Sequence, residues 1–200
     1  MRFLAMKPVH SDEQASDAEL LFAYSKGDVR SMDCLVVRYR QALFSWFLGM
    51  TGSRADAEDL FQDLWVRVIR NADRFKDVSF RAWMWQIARN LLIDFRRKKK
   101  PDISLDAIET EDDHPLLDQL VSTERGPAEN LEQVDLARRA MRAVGQLPEV
   151  QREIFLMRVQ GDLSFNEIAE TLKIPLNTAL GRMHDATTKL RVLLAKEMRR

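Results

Sequence analysis

Trp85 and Arg89 stand four residues apart, and Asn90, Arg96, Arg97 and Lys98 follow closely. An indole beside a guanidinium can stack an unpaired base, while the cations and the Asn amide can hold phosphates and base edges. Nearer the C-terminus, Asn177, Thr178, Gly181, Arg182 and Asp185 share the outer side of an expected helix, with Arg182 the best reader of a base or phosphate. Ser164 and Asn166 stand at a helix start, where backbone N–H groups favour phosphate. A third group is acidic. Asp56, Asp59, Asp63, Arg67 and Arg70 recur at steps of 3, 4, 4 and 3, so they share one helix face, flanked by Glu58 and Gln62. Such a face can dock a protein, be plain solvated surface, or lend carboxylates to a metal. Helical di-metal sites use Glu-x-x-His pairs, and this face has none. His10, His114 and His184 are scattered, and Cys34 is the only cysteine, so no metal site and no intramolecular disulfide are expected. Without a nucleophile–base pair or a Gly-rich phosphate loop, no enzyme, cofactor or small-molecule substrate is expected either.

The elements that position these groups read as helices throughout. No sustained two-residue alternation occurs, and 7 Gly and 6 Pro in 200 residues suit long helices. The expected class is all-α, as two small helical domains joined by an acidic linker. Residues 1–15 read as a loose tail and 16–100 as the first domain. Within it, Ser16 to Glu19 form a capping box, and Gly27 stops the first helix. Gly49 and Gly52 are expected to break the second. Ser53 opens the third. Phe80, Trp83, Met84, Ile87, Ala88, Leu91, Leu92 and Phe95 form the buried stripe of the fourth. That stripe places Trp83 in the core and Trp85 outside it, where Trp85 either stacks a base or covers a neighbouring helix.

Residues 101–135 carry eleven acids and one base, Arg125, and read as the linker. Residues 136–200 form the second domain. There Ser164 and Glu167 make another capping box, Lys173 to Pro175 make a turn, and a longer helix follows from about Asn177. A short helix, a turn and a long helix suit a helix-turn-helix, although plain helical packing uses the same pattern. The 31 basic and 31 acidic residues balance only because an acidic linker lies between two basic surfaces. No apolar run reaches membrane-span length, and no signal peptide is apparent, so a cytoplasmic protein without membrane insertion is expected.

Three segments, in order, carry a family resemblance: DAEDLFQDLWVRV at 56–68, FRAWMWQIARNLLIDFRR at 80–97, and LPEVQREIF at 147–155 with LSFNEIA at 163–169. Together they resemble the extracytoplasmic-function (ECF) sigma factors of the sigma-70 family. The resemblance implies that the first domain docks on core RNA polymerase through Asp56, Glu58, Asp59, Gln62, Asp63 and Arg67, on the clamp helices of the largest subunit. It implies a −10 promoter element read by Lys76, Asp77, Val78, Ser79, Trp85, Arg89, Asn90, Arg96, Arg97 and Lys98, with a base flipped from the melted strand. It implies a −35 element read by Ser164, Asn166, Asn177, Thr178, Gly181, Arg182 and Lys189, with the second domain at the polymerase flap. The linker would enter the polymerase channel, and an anti-sigma factor would hold the chain inactive. The family's usual PxGTVKSR is PLNTALGR here at 175–182, so Leu180 replaces a Lys; Asp185 and Thr187 stand where Arg is frequent. Weaker or altered −35 binding follows. Two other readings are a sigma mimic that sequesters an anti-sigma factor and a stand-alone helix-turn-helix regulator.

Overall fold

The computed structural model describes residues 15–72, 75, 79–99 and 139–197, and every regular element among them is helical. Residues 1–14 of the expected tail at 1–15, Lys76, Asp77 and Val78, and the whole acidic linker lie outside the described residues. Eight helices follow in order. They are α1 (Asp17–Ser25), α2 (Val29–Thr51), α3 (Arg54–Asn71), α4 (Phe80–Lys99), α5 (139–145), α6 (Glu149–Val159), α7 (Phe165–Leu172) and α8 (Leu176–Glu197).

Local chemistry sets the boundaries. Ser16 accepts from the Glu19 N–H while the Glu19 carboxylate accepts from the Ser16 N–H, so two orphan donors of α1 are satisfied at once. Ser164 and Glu167 repeat the device at α7. Asp28 caps α2, and Ser53 caps α3 by accepting from Asp56 N–H. The expected break at Gly49 is not there. Helix α2 runs through it to Thr51, and Gly52, left-handed at φ 71°, ends it.

Helices α1 to α4 pack as one bundle and α6 to α8 as another. The two are not separate in this structure: α6 lies against α2, and α7 against α4. One continuous apolar core results, in which Trp46, Phe47, Met84 and Trp85 from the first bundle join Ile154, Leu156 and Met157 from the second.

Candidate functional site on three helix faces

Helix α4 has a covered side and an open side. Arg81, Trp85, Arg89 and Arg96 repeat at steps of 4, 4 and 7 and turn toward the second bundle. Trp85 is 0 % exposed, set edge-on to Trp46 with ring centroids 5.4 Å apart. Arg89 Nε donates to Glu153 Oε1 at 3.2 Å. Arg96 pairs with Glu149 and also donates to the Met50 carbonyl at 3.3 Å. Arg81 donates to the Gly161 carbonyl.

The expected exposure of Trp85 is therefore corrected: it is core, and half-buried Trp83 is the aromatic nearer the surface. The residues on the open side are Trp83, Gln86, Asn90, Ile93 and Arg97, at steps of 3, 4, 3 and 4. Of the sequence-derived −10 residues, Asn90, Arg97 and Lys98 are exposed, whereas Trp85, Arg89 and Arg96 lie on the covered side. Ser79 is exposed, and its Oγ accepts from Ala82 N–H at 3.4 Å at the start of α4. The stripe through Phe80 is apolar on two adjoining flanks, so by itself it does not set Trp83 and Gln86 on the open side. Only the neighbours decide which flank is covered. The step pattern from Ser79 to Arg97 was the available signal.

On α3 the acidic face divides as well. Glu58, Asp59, Gln62, Asp63 and Arg70 are exposed, together with Val66. Asp56 and Arg67 instead turn toward α4, where Lys99 Nζ meets Asp56 Oδ2 at 2.7 Å and Arg67 meets Asp94 at 3.7 Å. Asp94 also pairs with Arg97 at 3.2 Å. These partly exposed pairs align α3 with α4 and contribute little to stability, about 0–1 kcal/mol each.

On α8, Ala179, Ala186 and Leu190 face the core. Asn177, Gly181 and Lys189 are exposed on the other side, with Thr178 and Arg182 half-buried beside them. Leu176 and Leu180 share that outer face, and Leu180 is 41 % exposed. At the start of α7, Ser164 is engaged in its cap and Asn166 is exposed.

Titration is unusual at Glu153. Burial pushes its carboxyl up from the ordinary value of 4.5, against the pull of Arg89 and Arg96. Among the described residues no group of His, Cys, Asp and Glu could hold a metal ion. No described helix is long and apolar enough to cross a membrane.

Comparison with known proteins bears on these faces. Residues 35–101 match the family model for sigma-70 region 2, and residues 137–190 match that for sigma-70 region 4. The chain is 31% identical over 169 residues to the ECF RNA polymerase sigma factor SigW of Bacillus subtilis, covering 83% of this chain and 90% of that one. It is 29% identical over 181 residues to the ECF RNA polymerase sigma-E factor of Escherichia coli K12, covering 87% and 92%. Among solved structures, CnrH in complex with the cytosolic domain of CnrY superposes with a TM-score of 0.65 at 24% identity, over 91% of this chain and 99% of that one. The sigma factor RpoE of Bartonella quintana, in complex with the anti-sigma factor NepR, gives 0.65 at 20% identity, over 84% and 98%. These two likenesses concern the fold. The region 2 and region 4 matches fall on the two bundles, and near full-length relatives are sigma factors. The chain therefore belongs to the sigma-70 family, as an ECF RNA polymerase sigma factor.

Proposed function

We propose that the exposed ridge of α3 is the surface that meets core RNA polymerase, and that the open side of α4 receives the melted −10 strand. The observation that carries the second assignment is the row Trp83, Gln86, Asn90, Ile93 and Arg97, a half-buried indole in line with amide and guanidinium groups. An indole face can stack an unpaired base, and the amides and Arg97 can hold base edges and backbone. Lys98 extends the row of cations. The duplex −35 element meets the outer face of α8 through Asn177, Thr178, Gly181, Arg182 and Lys189, with Ser164 and Asn166 near the backbone. Of the residues assigned to the −35 element only Arg182 and Lys189 are cationic, and Leu176 and Leu180 interrupt their face. Affinity for the −35 element is accordingly modest, and promoter choice leans on region 2. Two domains, at 16–100 and 136–200, divide this work across the linker at 101–135.

An anti-sigma factor is the expected regulatory partner, since one solved likeness above is a sigma factor bound to an anti-sigma factor. The cytoplasm, where polymerase works, is the expected compartment. Initiation by core polymerase with wild type, Asp63→Lys, Trp83→Ala and Leu180→Lys tests the assignments. Asp63→Lys should lose polymerase binding. Trp83→Ala should keep polymerase binding and lose strand opening. If Trp83→Ala opens promoters like wild type, the −10 strand lies elsewhere.

A further inference from the structure

Gly181 lies inside the 22-residue helix α8, and its φ is not positive. The backbone there has no need of glycine, the poorest helix former after proline. Packing does not call for it either. At Gly49 and Gly161 a Cβ would lie 2.6 Å from Leu156 Cδ1 and from Trp85 Cζ2, whereas at Gly181 it would meet nothing within 4 Å. The chain itself thus gives no reason for a missing side chain at this place. The bare backbone faces outward, so the space serves something that approaches from outside. Leu176 and Leu180 stand one turn apart on the same exposed side, at 40 % and 41 % exposure, while Ala179 and Ala186 fill the buried side. Exposed Asn177 neighbours both Leu180 and Gly181, at steps of 3 and 4. High helix propensity accounts for an exposed leucine on any face, but not for a glycine in the same patch.

We propose that this patch reads thymine methyl groups in the −35 element. Leu176 and Leu180 each cover the C5-methyl of a thymine in the major groove, and the missing side chain at Gly181 lets the helix backbone sit close enough for both to reach. The inference rests on the reading of the outer face of α8 as the −35 surface, and it names the chemistry which that face selects. A leucine side chain has neither donor nor acceptor, so it cannot read the hydrogen-bonding edge of a base. The apolar group that the major groove offers is the thymine methyl. From Leu176 to Leu180 the helix rises about 6 Å, close to two base-pair steps of about 3.4 Å. The two methyls therefore lie within about two steps of each other. Half-buried Arg182 and exposed Lys189 lie on the opposite flank of the helix, where cations can meet the phosphate backbone. Covering one methyl group is worth about fourfold in affinity.

The test uses holoenzyme formed from the full chain and core polymerase. Its −35 sequence is first selected from duplexes randomised at that element. Each thymine of the selected duplex is then replaced by uracil, which lacks only the C5-methyl. Uracil is expected to weaken binding about fourfold at each of two positions within about two steps of each other. Leu180→Ala should erase the difference between thymine and uracil at one position, and Leu176→Ala at the other. Gly181→Ala should raise the melting temperature of the free chain by about 2–4 °C, yet weaken binding of the selected duplex at least about fourfold. A glycine without a role at DNA would give the first effect and not the second. A selected sequence without such thymines overturns the proposal, as do uracil duplexes that bind like thymine duplexes. Leucine variants that keep the thymine preference, or a Gly181→Ala chain that binds like wild type, overturn it too. Arg182→Ala separates the two ways of failing. If the methyl preference is absent but Arg182→Ala still weakens −35 binding, α8 remains the −35 surface and only the methyl reading falls. If no −35 sequence is selected, or Arg182→Ala changes nothing, the assignment of the α8 face fails and this inference falls with it.

Discussion

Replacing Trp85 by alanine tests whether this ring is a structural member or a reader of DNA. The side chain is fully buried, and a Trp→Ala change in a core costs about 3–5 kcal/mol. The edge-on contact with Trp46 accounts for about 0.5–1.5 kcal/mol of that. One feature reduces the loss. Trp85 Nε1 is buried without a hydrogen-bond partner, a burden of about 1–3 kcal/mol that disappears with the ring. The net expectation is the low end, about 3 kcal/mol. For a chain of this size that lowers the melting temperature by about 6–12 °C. Trp85→Phe, which keeps most of the packing and drops the unpaired N–H, should lose less than half as much. Urea unfolding followed by far-ultraviolet circular dichroism gives the stability. Binding of a single-stranded −10 oligonucleotide by the polymerase holoenzyme, at a temperature where each variant is folded, gives the function. A loss below about 1 kcal/mol, with oligonucleotide binding abolished, would refute the placement of Trp85 in the core.

Glu153 sets a pH dependence whose sign follows from its surroundings. Arg89 and Arg96 of α4 and Glu149 of its own helix face it, and burial outweighs the two cations, so its carboxyl titrates above 4.5 in the folded chain. The native state then binds more protons than the unfolded state just above pH 4.5, and this group's contribution falls as pH rises through that window. Glu153→Gln should flatten that part of the stability profile; an unchanged profile would show that Glu153 is not the group responsible. Leu180→Lys, which restores a cation to the outer face of α8, should tighten −35 duplex binding and steepen its salt dependence by about one ion; salt titration of duplex binding by the holoenzyme decides it, and an unchanged slope would place Leu180 away from DNA. Ser164→Ala removes one half of a capping box and should cost about 1 kcal/mol in thermal unfolding; a neutral outcome would mean Glu167 alone suffices.

Much of this molecule was legible in its residues. Capping boxes at Ser16 and Ser164 and the cap at Ser53 depend on contacts between near neighbours, so the local sequence contains everything that determines them. The family followed from three segments whose residue types and order are shared with sigma factors. Which flank of an amphipathic helix is covered is a different matter. Trp83 and Trp85 are two residues apart on a helix with apolar groups on adjoining sides, and the sequence pattern favoured Trp83 as core. The structure buries Trp85, because Trp46 of α2 and Gly161 of the second bundle meet there. Gly49 shows the same limit. Read locally, a glycine near a helix end is a terminator, yet α2 continues, since the glycine answers to Leu156, more than a hundred residues away. Helix ends and helix periodicity come from short-range hydrogen bonds and side-chain spacing, which the sequence states directly. The partner of each face comes from long-range packing, and only the folded chain brings those partners together.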